Sequence, residues 1–186
     1  MKKAITILIL VACLPLGLAA QPKFHAIVDY HYLLGLREHW PDYTVTRSDS
    51  KMSANSMRLS LLYSVTDQVA LGAGAGLDHY DYSEYAYSNT VPIFGLVHVV
   101  PLKSLPQAYA YGDLGYSPSG KNIEKGLLFD TGVGYKWMFH PYFGLNFQLG
   151  YNMKQFSYDV TNSSTQKTET ERGYRHSLTF GVGLIF

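Results

Sequence analysis

Apolar and polar residues alternate one for one through eight stretches of this chain, separated by polar or turn-forming segments. Successive side chains on a strand point to opposite faces, so a period of two predicts β-strands with one apolar and one polar face. The stretches run from Phe24 to Leu36, Ser56 to Thr66, Gln68 to Tyr82, Thr90 to Leu102, Ala108 to Ser117, Gly126 to Phe139, Tyr142 to Tyr158 and Gly173 to Phe186. Each offers the roughly nine to eleven residues that a tilted strand needs to cross the hydrocarbon of a bilayer. Helical periodicity is absent after residue 20.

The connections alternate in length. Arg37 to Asn55, Ser83 to Asn89, Pro118 to Lys125 and Asp159 to Arg172 are long and polar, whereas Thr66-Asp67, Lys103 to Gln107 and His140-Pro141 are short. Outer-membrane barrels have short periplasmic turns and longer extracellular loops. The predicted fold is therefore all-β: an eight-stranded antiparallel up-and-down transmembrane β-barrel, with both ends of the chain on the periplasmic side.

Parity assigns the faces. In the sixth stretch Leu127, Phe129, Val133, Tyr135, Trp137 and Phe139 share one side, and in the seventh Phe143, Leu145, Phe147, Leu149 and Tyr151 do. The positions between them carry Asp130, Lys136, Asn146, Gln148, Asn152 and Lys154, so the apolar side is read as facing lipid and the polar side as facing the lumen. The fourth stretch gives no decision, because Phe94 and Leu96 compete with Ile93, Val97 and Val99 and Pro92 interrupts its start. Applied to all strands, the phase collects Asp29, Asp78, Asp113 and Asp130 inside with Arg58, Lys136, Lys154 and Arg175. An eight-stranded barrel is only wide enough for side chains to fill it. Buried charges persist when paired, so these eight residues are expected to form a structural network and not a reactive centre.

Composition narrows the class. Mean hydropathy is −0.05, as alternation gives, and the 16 tyrosines suit the aromatic girdles of a membrane barrel. Residues 21–186 hold 13 Lys and Arg against 14 Asp and Glu, which gives no basic excess for nucleic acid. Met1-Lys2-Lys3, the apolar run Ala4 to Cys13 and the small residues Gly17-Leu18-Ala19-Ala20 read as a cleaved signal peptide, residues 1–20, ahead of one barrel domain, residues 21–186. Leu10-Val11-Ala12-Cys13 also resembles a lipobox, although apolar sequence continues beyond Cys13 where a lipoprotein turns polar. With cleavage near Ala20 the mature chain holds no cysteine, and disulfides and thiolate chemistry are excluded.

The stretch Thr179-Phe-Gly-Val-Gly-Leu-Ile-Phe186 is similar to the assembly signal of bacterial outer-membrane proteins, with Thr179, Gly181, Leu184 and Phe186 at its polar, glycine, hydrophobic and aromatic places. With the strand count and alternating loops, the chain resembles small outer-membrane barrels of the outer-membrane protein A and X type, and more narrowly the single-domain porin-family barrels of Bacteroidetes-like bacteria. The resemblance implies insertion by the barrel-assembly machinery and contact with outer-membrane lipid and lipopolysaccharide, as a monomer. Deleting Phe186 should then lower the folded, heat-modifiable fraction in membranes while export continues; unchanged membrane levels would show that this ending is not read.

Candidate chemistry is sparse. Some eight-stranded outer-membrane barrels are lipid-modifying acyltransferases or deacylases that use His with Ser and an acid. The nearest residues here are His176-Ser177 and Asp78-His79, with Ser83 close by. Neighbours on a strand face opposite ways, so His176 cannot activate Ser177. His25 and His31 lie roughly 20 Å apart along one strand and cannot chelate a single metal. No catalytic residue, cofactor or metal is expected. A structural or adhesin-like role remains, with a lipid-modifying enzyme and a narrow channel for very small solutes as alternatives. The loops offer Trp40, Tyr43, Tyr82, Tyr85 and Tyr87 as candidate residues for an extracellular ligand, since tyrosine provides large contact area at small entropic cost.

Overall fold

The computed structural model describes residues 23–50, 52–83, 86–120, 123–161 and 168–186, with side chains described outside 82–87 and 158–169. The proposed signal peptide, Cys13 and Tyr85 lie outside the described residues, as do the side chains of Tyr82 and Tyr87. The described strands are β1 (Phe24–His39), β2 (Thr44–Thr46), β3 (Ser53–Ser64), β4 (Val69–Ser83), β5 (Ala86–Thr90), β6 (Ile93–Val99), β7 (Ala108–Ser117), β8 (Gly126–His140), β9 (Phe143–Thr161) and β10 (Thr168–Ile185).

Eight of them close into a barrel. The ladder runs β10-β9-β8-β7-β6-β4-β3-β1, every pair antiparallel, and β1 returns to β10 from Ile27↔Ile185 to His39↔Tyr174. Closure satisfies the backbone groups that an open sheet edge would leave bare, which is the condition for crossing hydrocarbon with strands. β2 folds back on the outer end of β1, and β5 extends the fourth wall strand along β4.

The wall is apolar outward and polar inward. Leu77 and Leu114 are both 65% exposed on the outside, with Ile93, Val133, Trp137 and Phe180 around them, while Asp130, Asn146, Asn152 and Lys154 are fully buried inside. A soluble sheet hides its apolar face; apolar exposure around a whole barrel requires lipid as the solvent. No helix among the described residues is long and apolar enough to cross a membrane; the crossing is made by strands.

The interior is layered. Ile27, Leu62, Ala70, Leu96 and Ile185 pack toward the end with the short turns, Leu33, Trp40, Ala54, Tyr80 and Phe156 pack toward the end with the long loops, and the charged residues lie between. Glycine makes the room: Gly134 and Gly150 sit beneath the rings of Tyr109 and Tyr111, where any Cβ would collide with the phenols. At the start of β8, Gly126 has φ +155° and lies against the Gln155 carbonyl, which a Cβ would strike.

Two departures from the alternating pattern shape the interior. The fourth wall strand is divided at Val91-Pro92, because proline has no N–H for the ladder. The break is stitched by Gly76 N donating to Pro92 O at 2.9 Å and Val91 N donating to Ser117 Oγ at 2.9 Å. Below the break the strand's phase is decided: Phe94, Leu96 and His98 point inward, and Ile93 and Val99 outward. Phe94 fits there because Gly74 leaves the opposing position empty of a side chain. The second departure is a bulge between Gly35 and Arg37. It shifts the parity, so that Leu36, Arg37 and His39 face out while Glu38 and Trp40 turn in.

Candidate functional site

The interior network centres on Arg58. Its position opposite Asp29 is set by the β1–β3 register, and it reaches across the lumen to Asp130 at 3.0 Å and Asp113 at 3.4 Å. Asp113 and Asp130 are direct cross-strand partners on β7 and β8. Two like charges opposite each other repel, and one guanidinium satisfies both. Tyr111 and Asn152 also donate to Asp130, each at 3.1 Å. Arg58 Nε donates to Ser56 Oγ at 3.3 Å; Ser56 donates to Asp78 at 2.5 Å and Thr90 donates to the other oxygen of Asp78 at 2.9 Å. Asp29 accepts from Asn146 at 2.9 Å, and Asn146 in turn accepts from the Tyr109 hydroxyl at 2.6 Å.

The other three cations stand apart from this centre. Lys154 is fully buried, with its ammonium 3.4 Å from the Gly126 carbonyl oxygen. Lys136 lies nearer the end with the short turns, 5.1 Å from the centroid of the Tyr109 ring. Arg175 belongs to a second cluster near the end with the long loops: its Nε donates to Glu38 at 2.6 Å, and Trp40 Nε1 donates to the other Glu38 oxygen at 2.6 Å. The guanidinium lies over the rings of Tyr80 and Phe156, which meet edge to face at 5.0 Å.

Sequence pattern places Asn146 and Asn152 on the lumen side but does not reveal Glu38, Tyr109 or Tyr111 as network members. For Tyr109 and Tyr111 the signal was present, since they share the parity of Asp113. Trp40, expected among surface-binding residues, is buried: the bulge turns it inward, and its indole lies on Gly173, closing the mouth. Tyr43, which stacks on it at 6.3 Å between centroids, is 57% exposed. The rest of that loop is ordered by Asp49, which accepts from the Thr46 hydroxyl at 2.7 Å and amide at 2.9 Å; those bonds hold its carboxyl below the usual carboxylate range.

Residues considered for catalysis are separated. Ser177 is buried inside, whereas His176 faces out beside Tyr151, its hydrogen-bond partner. Asp78 points into the network, while His79 points out to Asn89 at 2.7 Å and Asp81 at 3.3 Å. Among the described residues no three His, Cys, Asp or Glu side chains could hold a metal ion. Of the ending read as an assembly signal, Thr179 and Gly181 face inward and Leu184 and Phe186 outward, with Phe186 paired to Ala26 through backbone bonds of 2.9 and 3.0 Å.

A closed eight-stranded barrel with a lipid-facing wall and a charged interior defines an integral outer-membrane β-barrel protein. Solved structures share this architecture. The outer membrane protein OprG from Pseudomonas aeruginosa is 14% identical over 88% of this chain and 96% of its own, with a TM-score of 0.52. The outer membrane protein AlkL, determined in DMPC bilayers, is 9% identical over 88% of this chain and 90% of its own, with a TM-score of 0.50. At these identities the likeness is one of fold. No protein-family model and no curated protein matches the sequence.

Proposed function

We propose that the chain is a monomeric, non-enzymatic barrel that stabilises the outer membrane and meets extracellular partners through its loops, in the manner of the single-domain outer-membrane protein A and X type. The observation that carries this reading is the filled lumen. The inward space bounded by Ile27, Asp29, His31, Arg58, Asp113 and Gln148 has only about 10 Å³, the room of about one water. Apolar layers lie above and below it, and the Arg58 cluster ties six wall strands together in between. The separation of His176 from Ser177 supports a role without acyl transfer. The exposed Tyr43 provides surface for a ligand.

Proteoliposome swelling tests the reading against a channel. Vesicles bearing the folded protein should swell in small sugars and amino acids at the rate of protein-free vesicles. Swelling well above that rate would make the protein a channel and overturn the proposal.

A further inference from the structure

Resting on the reading of a filled lumen, we infer that its middle binds one buried water molecule, which joins two separate hydrogen-bonded chains of side chains into a single network. The first chain runs from Asp113 and Asp130 through Arg58 to Ser56, Asp78 and Thr90. The second runs from Asp29 through Asn146 and the Tyr109 hydroxyl to Gln148, whose amide donates to that hydroxyl at 3.1 Å. Among the described residues no hydrogen bond links the two. Their open ends belong to residues around one space of about 10 Å³. Arg58 Nη2 and Asp113 Oδ1 from the first chain and Gln148 Oε1 from the second are buried and make no hydrogen bond within the protein. The same holds for both ring nitrogens of His31 and for His98 Nδ1, whose residues line the space too. His31 Nε2 and Gln148 Oε1 stand together over Gly181, 3.1 and 3.2 Å from where its Cβ would be.

A buried polar atom without a partner forfeits its hydration, so orphans gathered around one space call for an occupant. The chemistry of these atoms selects it. Arg58 Nη2 can only donate, whereas Gln148 Oε1 and the Asp113 carboxylate can only accept. A water molecule accepts from the guanidinium and donates to the two oxygens, and a His31 nitrogen completes its coordination. A halide would leave both acceptor oxygens unmet and lie against a carboxylate, and a metal ion would face the guanidinium charge. Size agrees: one water needs about 10–15 Å³ and two to four polar partners, so no larger solute fits. Ile27 and Leu96, from the apolar layer toward the short turns, close the space on that side and keep the water from exchanging freely.

Neutron diffraction from crystals grown in deuterated buffer, with X-ray anomalous data from crystals soaked in sodium bromide, tests the inference. The map should show one water between Arg58 Nη2, Asp113 Oδ1 and Gln148 Oε1, its deuterons directed at the two oxygens. In solution, magnetic relaxation dispersion should count one more long-lived water in the wild type than in Ser60→Val, which adds apolar bulk at the buried wall of the same space. Gln148→Met, which removes one acceptor and little volume, should shorten that water's lifetime on the order of tenfold. Heat-modifiability reports that both variants are folded. An unoccupied site, a bromide peak in the space, or equal counts and lifetimes in wild type and folded variants would each overturn the inference. An unoccupied site in a protein that leaves vesicles unswollen removes the water alone, whereas swelling removes the filled lumen and the water with it.

Discussion

Replacing Arg58 with Met should cost about 3–5 kcal/mol of stability, because removing one partner of a buried ion pair leaves the other charge uncompensated. Here the loss is shared: Asp113 and Asp130, both buried, lose their common cation, and Asp78 loses its link through Ser56. Methionine nearly preserves the volume, so the effect isolates the charge. Urea unfolding of the protein in lipid vesicles measures it. Adding Asp113→Asn and Asp130→Asn to Arg58→Met should recover part of the loss, since the orphaned charges are then gone. A single variant within 1 kcal/mol of wild type, on the order of a surface pair, would mean that the network contributes little to holding the barrel together.

The second large effect belongs to the opposite face. Leu149 is 51% exposed near the middle of β9, between Val133 and Phe180 on the neighbouring strands. Arginine there should cost about 2–4 kcal/mol, because a charge at mid-depth meets hydrocarbon. Leu149→Phe should be close to neutral in the same vesicles. At the adjacent inward Gln148, arginine would enter a space of about 10 Å³ beside Arg58, so its penalty comes from crowding and like charge, not from lipid. Only the Leu149→Arg penalty should shrink as the bilayer is thinned. A neutral Leu149→Arg variant would place this wall in water.

The pattern of alternation gave the strand count and the inward set because each rests on a period of two that the barrel preserves over most of its wall. It failed where the period is broken. The fourth strand carries apolar residues at both parities, and its phase was settled inside the lumen, by Phe94 filling the space over Gly74 on the neighbouring strand and lying under Arg58, which no local pattern reports. In β1 the bulge at Gly35 reverses the sides, which is why Glu38 and Trp40 read as loop residues although they lie inside the barrel end that carries the long loops. Gly35 itself was the available clue: it lies against Met52, where a Cβ would come within 2.6 Å of the methionine Cβ. The tyrosines misled for a different reason. Assigning them to the girdles overlooked Tyr80, Tyr109 and Tyr111, which share the parity of inward acids and are buried.

The Glu38–Arg175 pair has a consequence for how the molecule comes together. Seven of the eight wall seams join strands that follow one another along the chain, so each can zip locally as a hairpin. The β1–β10 seam cannot, and Glu38 and Arg175, direct partners across it, are 137 positions apart in sequence. Chain entropy defers such a contact until the intervening strands have formed. The buried Glu38–Arg175 pair is thus a clasp on the last seam to close, where it holds the cylinder shut without having guided any hairpin on the way.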